Sequence, residues 1–141
     1  MTASSLRYLK SHKALHDEIS GGAEEQLESM KTLLNKLEHK ELAEEMGAFI
    51  EYVEESVLGH AQQEETPGGL YDSIERDDPK NVEKIRRLRR DHELIQVMVD
   101  RMKEELSHDE VDFQKLIDHS VSIILVDEIH SRDEEDLLME D

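Results

Sequence analysis

Between Lys84 and Leu106, Ile85, Leu88, His92, Ile95, Val99, Met102 and Leu106 follow one another at steps of three and four. That period lines them up along one stripe of an α-helix; a strand, whose period is two, would scatter them over both faces. The chain carries three more such stripes. The first reads Leu6, Leu9, His12, His16, Ile19, Ala23, Leu27, Met30, Leu34 and Leu37. The second reads Met46, Phe49 (with Ile50), Val53, Val57, His60 and Glu64, and the fourth Leu116, His119, Ile123, Val126, His130, Glu134 and Leu137. A helix striped on one face has to bury that stripe against another helix. Four of them joined by short links predict an all-α, up-down-up-down antiparallel four-helix bundle, with residues 1–141 as a single domain.

The punctuation agrees with this order. "RDDPKN" places Pro79 near the first turn of the third helix, and "SHDE" ends that helix. "TPGG", Thr66 to Gly69, stops the second, because Pro67 cannot continue the ladder and the glycines favour a turn. "EHKE", Glu38 to Glu41, is the expected link between the first two helices. Gly21 and Gly22 interrupt the first stripe at a cost near ~1 kcal/mol each, which predicts a kink or a split there. Two Pro and six Gly leave few turns for a many-stranded sheet.

Composition narrows the function. With no Cys, disulfides, iron–sulfur clusters and zinc–thiolate sites are excluded. A formal net charge of −19 argues against nucleic acid and anionic membranes as partners, and leaves an acidic surface for a protein partner. The basic run "KIRRLRR", Lys84 to Arg90, reads as a solvated helix face balancing nearby acids rather than a phosphate patch. No apolar run of roughly 18 residues is present, and "MTASSLRYLKSH" has no apolar signal-peptide core, so a cytoplasmic protein is expected.

The stripes hold residues that an apolar seam should not. His12, His16, His60, Glu64, His92, His130 and Glu134 all fall on the inward faces. A buried carboxylate without a partner is very costly, and seven polar groups on four seams call for a common one. His12 and His92 lie toward the starts of their helices, His60 and His130 toward the ends, so in an up-down bundle they share one end. His-x-x-x-Glu occurs twice, as "HAQQE" and "HSRDE", each followed by a second Glu (Glu65, Glu135). The i, i+4 spacing sets His and Glu one turn, about 5.4 Å, apart on one face. Imidazole and carboxylate donors without thiolate suit iron, manganese or zinc, and two ions about 3.5–4 Å apart could share bridging carboxylates. His16 is either a further ligand or a hydrogen-bond donor to one. His119 is expected to be a buried polar group away from the metal, and His39 and His108 surface residues. "LKSHKALHDEI" and "RRDHELIQVMV" echo one another weakly, which suggests two similar hairpins related by a pseudo-twofold axis.

On these residues the chain resembles the hemerythrin family, in particular the bacterial and archaeal hemerythrin-like HHE cation-binding domains, over essentially its whole length. The resemblance implies a four-helix bundle around a non-haem di-iron centre of two iron ions, with manganese or zinc less favoured. It implies His12 in "LKSHKAL", His60 and Glu64 in "GHAQQEE", His92 in "RRDHELI", and His130 and Glu134 in "IHSRDEE" as ligands, with Glu64 and Glu134 bridging. Three departures stand out. The oxygen carriers have His-x-x-x-His on helix three, whereas position 96 here is Gln and that pair appears on helix one as His12 and His16. The last carboxylate follows its His by four residues, not five. The "TPGG" linker is longer than the family's. The activity implied is binding of, or reaction with, a small oxidant: dioxygen, peroxide or nitric oxide. The alternative is an iron, oxygen or redox sensor or an iron-donor module without turnover, whose tail "DEEDLLMED" meets a protein partner. A ferritin-type oxidase would need paired Glu-x-x-His motifs; Glu105 and His108 form a single one, at a helix end.

Overall fold

The computed structural model describes residues 7–139, so Leu6 of the first stripe and Glu140 and Asp141 of the tail lie outside the described residues. The chain forms α1 (Leu9–Asn35), α2 (His39–Tyr52), a π-helical segment (Val53–Leu58), α3 (Gly59–Glu65), α4 (Leu70–Asp77), a 3-10 turn (Pro79–Asn81), α5 (Val82–Leu106) and α6 (Phe113–Glu135). Residues 39–65 run on without a break, so four long helical rods result. They pack in a ring, α1 against α2 and α6, and α5 against α2 and α6. Among the described residues, no helix is long and apolar enough to cross a membrane.

The stripes meet as their spacing requires. Met30, Leu42, Met46, Phe49, Val53, Ile95, Val99 and Leu116 are fully or almost fully enclosed in the main core. Each such side chain is worth about 1.5–3 kcal/mol relative to exposure. A smaller cluster of Leu70, Tyr71, Ile74, Ile85 and Leu88 closes the other end of the molecule.

Several local expectations change. Helix α1 runs straight through Gly21 and Gly22. A Cβ on Gly22 would come within 2.8 Å of Tyr52 Cζ, so this glycine is where the Tyr52 ring seats against α1. The Tyr52 hydroxyl then donates to the Ile19 carbonyl at 2.9 Å. Packing thus outweighs the poor helix propensity of the pair. The link after α1 is shorter than "EHKE", since α2 already begins at His39. Leu37 does not extend the apolar stripe. It sits at φ 58° and is 73% exposed. Its N–H reaches Leu34 O and that of Glu38 reaches Leu33 O, both at 3.1 Å, which closes the helix in a Schellman motif.

His119 is half-buried rather than buried, its Nδ1 2.8 Å from the Lys115 carbonyl oxygen; the neighbouring Ser120 takes the enclosed position. His39 and His108 are exposed, as expected. The basic run is a solvated face: Arg86 pairs with Glu83 at 3.2 Å and Arg90 with Glu93 at 2.9 Å, while Ile85 and Leu88 point inward.

The "TPGG" stretch is a turn that redirects the chain. Gly68 has φ 78°, which favours glycine. A Cβ on Gly69 would lie 2.8 Å from Thr66 O and 2.9 Å from Gln63 O. The turn leads into α4, a helix absent from the four-segment expectation. Its Leu70, Tyr71 and Ile74 face inward.

Candidate metal centre

His12 and His16 project from the first two turns of α1, His60 and Glu64 from α3, His92 from α5, and His130 and Glu134 from the end of α6. The π-helical segment immediately precedes α3. Such wide turns are frequent at functional sites, and here one sets the register of His60 and Glu64. Six of the seven residues are buried, and the His60 side chain is 9% exposed.

Their ligating atoms fall into two overlapping groups, each within 4.8 Å: His12, His16, His60, Glu64 and Glu134, and Glu64, His92, His130 and Glu134. Each carboxylate divides its oxygens between the groups. Glu64 Oε2 lies 3.2 Å from His12 Nε2 and 3.3 Å from His60 Nε2, while Oε1 lies 3.4 Å from His92 Nε2 and 3.9 Å from His130 Nε2. Glu134 Oε1 lies 2.7 Å from His12 Nε2 and 3.2 Å from His16 Nε2, while Oε2 lies 3.2 Å from His130 Nε2.

Hydrogen bonding does not account for this cluster. His12 and His60 present Nε2 to one another at 2.9 Å, and His92 and His130 do so at 3.1 Å. A ring nitrogen has at most one proton to give, yet His12 Nε2 also faces both carboxylates. Glu64 Oε2 and Glu134 Oε1 are buried with no hydrogen bond of acceptable geometry, and so are Nδ1 of His16, His60 and His92. Nitrogen and oxygen donors with no sulfur, gathered this closely, could hold a metal ion.

Without a cation the cluster balances its charge with protons. Burial pulls the His12 imidazole down, but Glu134 and Glu64 outweigh it and raise it to about 10. His130 is likewise opposed by burial and held well above its ordinary value by Asp91, Glu134 and Glu64. Burial pushes both carboxyls up, yet contact with Glu134 and then with His12, His130 and His60 holds Glu64 well below the usual carboxylate range, while Glu134, pushed up further by Glu64, is brought below that range by His12 and His130.

A second set of acids stands behind the rings. Asp91 Oδ2 lies 3.0 Å from His130 Nδ1. Glu65 lies 3.2 Å from His92 Nδ1 and Glu135 3.5 Å from His16 Nδ1. An acid hydrogen-bonded to an imidazole fixes the ring orientation and raises ligand basicity, as Asp91 does for His130, while Glu65 and Glu135 stand at ion-pair distance. The sequence does carry a signal for two of them, the second Glu after each His-x-x-x-Glu; Asp91 has none beyond its place beside His92. Gln96, the position where the oxygen carriers have His, is exposed and bonds Asp100 at 2.9 Å, outside the cluster, whereas His16 is inside it.

Two further residues join from outside the expected set. Asp127 helps to line an enclosed cavity of about 10 Å³ together with Ile19, Val57, His16, His60, Glu64, His92 and His130. Burial raises the Asp127 carboxyl. Tyr71, on α4, is fully buried with its hydroxyl 2.6 Å from Glu134 Oε2. Burial, then the charges of Glu134 and Glu64, push that phenol well above its ordinary value, so without a cation it is a neutral donor to Glu134.

No protein-family model, curated protein or solved structure matches the chain, so its chemistry is read from the side chains themselves.

Proposed function

We propose that the protein is a hemerythrin-like, up-down-up-down helical bundle that holds two iron ions and binds or reacts with a small oxidant: dioxygen, peroxide or nitric oxide. The observation that carries the proposal is the way Glu64 and Glu134 each divide their two oxygens between the two nitrogen groups. In this reading His12, His16 and His60 would hold one ion and His92 and His130 the other, with Glu64 and Glu134 each offering one oxygen to either group. Iron supplies redox chemistry and open positions for a small ligand.

The chain's own residues supply the rest. The cavity of about 10 Å³ touches histidines of both groups, and it is roughly the size one water requires. It therefore suits a very small ligand rather than an organic substrate. Ile19 and Val57 give it apolar walls that exclude bulk water. Asp91 keeps the His130 ring turned with Nε2 toward the cluster.

A sensor or iron-donor module is favoured by one feature. The segment before α1 and the tail after α6 are tied by hydrogen bonds from Leu9 N to Met139 O and from Met139 N to Arg7 O, both 2.8 Å. Leu9 lies three residues before His12 and Met139 five after Glu134, so loss of metal would loosen the tail through the ligands.

The test is to load the protein with ferrous ions without air, measure bound metal, and record ultraviolet–visible absorption before and after oxygen. About two irons per chain with new near-ultraviolet bands after oxygen are expected. Persistent bands mark an oxidised end state, and bands reversed by removing oxygen mark carriage. No bound iron, with thermal stability unchanged on adding it, would refute the proposal.

A further inference from the structure

We infer that the Tyr71 phenolic oxygen is itself a metal ligand, completing the group formed by His92, His130, Glu64 and Glu134. This deepens the two-metal reading above and rests on it.

The geometry is that of a ligand rather than of a lone hydrogen-bond donor. Tyr71 Oη lies 2.6 Å from Glu134 Oε2, 3.4 Å from Glu64 Oε1, and 3.5 Å from each of His92 Nε2 and His130 Nε2. A phenol that only donated to Glu134 would need one of those neighbours. Adjacent ligands about 2.1 Å from an octahedral ion lie about 3 Å from one another, and these separations, from 2.6 to 3.5 Å, fall on either side of that value. The ligand count agrees. One group offers three imidazoles and two carboxylate oxygens, while the other offers two imidazoles and two carboxylate oxygens. The phenol makes five and five.

The local fold is built to deliver this one oxygen. The turn at Gly68 and Gly69 reverses the chain directly after Glu64 and Glu65. Leu70 and Ile74 then anchor α4 on Ile85 and Leu88. The Tyr71 ring stacks nearly parallel to His92, at 5.9 Å and 11°, and the Arg89 guanidinium carbon lies 5.3 Å from its centroid. Arg89 also reaches Glu65 at 3.4 Å and Asp72 at 3.6 Å, so it pins α4 to the end of α3.

The binding step is an exchange. The O–H bond of Tyr71 breaks, its proton leaves to solvent, and an oxygen–metal bond forms, with no change of oxidation state. The consequence is an asymmetric pair of sites: three anionic oxygens and two imidazoles around one ion, two anionic oxygens and three imidazoles around the other. The phenolate side favours the more highly charged ion.

The experiment uses full-length protein with ring-deuterated tyrosine, loaded with two equivalents of ferrous iron without air and then oxidised with air. A visible phenolate-to-ferric absorption band is expected, with resonance Raman ring modes that shift on deuteration. Y71F should lose the band, and bind the second equivalent about tenfold more weakly or worse, while Y8F and Y52F keep it. If Y71F does not fold, the isotope shift together with the Y8F and Y52F spectra still assigns the band. Two irons bound without any phenolate band would overturn the inference and leave the two-metal reading standing. No bound iron would overturn both.

Discussion

Replacing Glu134 by Gln tests the charge logic of the cluster in the metal-free protein. The His12 imidazole, whose ordinary value is 6.5, rises to about 10 in the fold, with Glu134 the largest contributor after the opposing effect of burial. A group raised on folding stabilises fully below its unfolded value and loses that contribution as pH climbs through the folded one. At about pH 7.5, some 2.5 units remain below the folded value, worth roughly 3 kcal/mol at 1.36 kcal/mol per unit. Glu64 shares in raising His12, and an amide at position 134 relieves the Glu64–Glu134 repulsion, so about 2 kcal/mol is the expected loss in Glu134→Gln. His130 is raised as well and adds in the same direction over the same window. The carboxyls do not confuse the measurement. They are depressed on folding, so their contribution is present above their ordinary value of 4.5 and is lost only as pH falls below it. Urea unfolding of metal-free wild type and variant at a series of pH values between about 6.5 and 10 reads the difference. It should be largest at the acid end and shrink as pH nears 10. A difference that does not change with pH, or a variant more stable throughout, would refute the reasoning and leave the seven residues as a polar seam improved by losing charge.

Three further outcomes follow from single contacts. Asp91→Asn, which weakens the hold on His130 Nδ1, should lower metal affinity about 10- to 100-fold, read by competition with a chelator, with little change in metal-free stability. Gly22→Ala should destabilise by about 1–3 kcal/mol despite alanine's better helix propensity, because the methyl group displaces the Tyr52 ring; thermal unfolding reads it, and a stabilised variant would contradict the close packing. Leu37→Gly should stabilise by about 0.5–1 kcal/mol, since leucine is held at φ 58° and its exposed side chain has little packing to lose, and chemical denaturation measures the gain.

How much of this was legible in the residues alone can be judged position by position. The helical class was legible because period and burial are tied: a stripe at steps of three and four has one way to leave water. The convergence of His12, His16, His60, Glu64, His92, His130 and Glu134 was legible because seven polar residues on apolar seams have no cheap solution apart. His119 shows the limit of that logic. It shares the stripe of His130 but is only half-buried, while the neighbouring Ser120 takes the enclosed position.

What only the tertiary structure decided are matters of approach between segments distant in sequence. Gly22 reads as a helix breaker until Tyr52, thirty residues on, is laid against it. The π-helical segment before His60 has no sequence mark; in the fold it lies against α1 and α5. Tyr71, outside the four stripes, gains its place only when the glycine turn folds α4 back over the cluster and brings its hydroxyl against Glu134. Periodicity determines which face of a helix is buried. Which atoms meet across those faces depends on side-chain volumes and turn geometry summed over the whole chain, and these come together only when it folds.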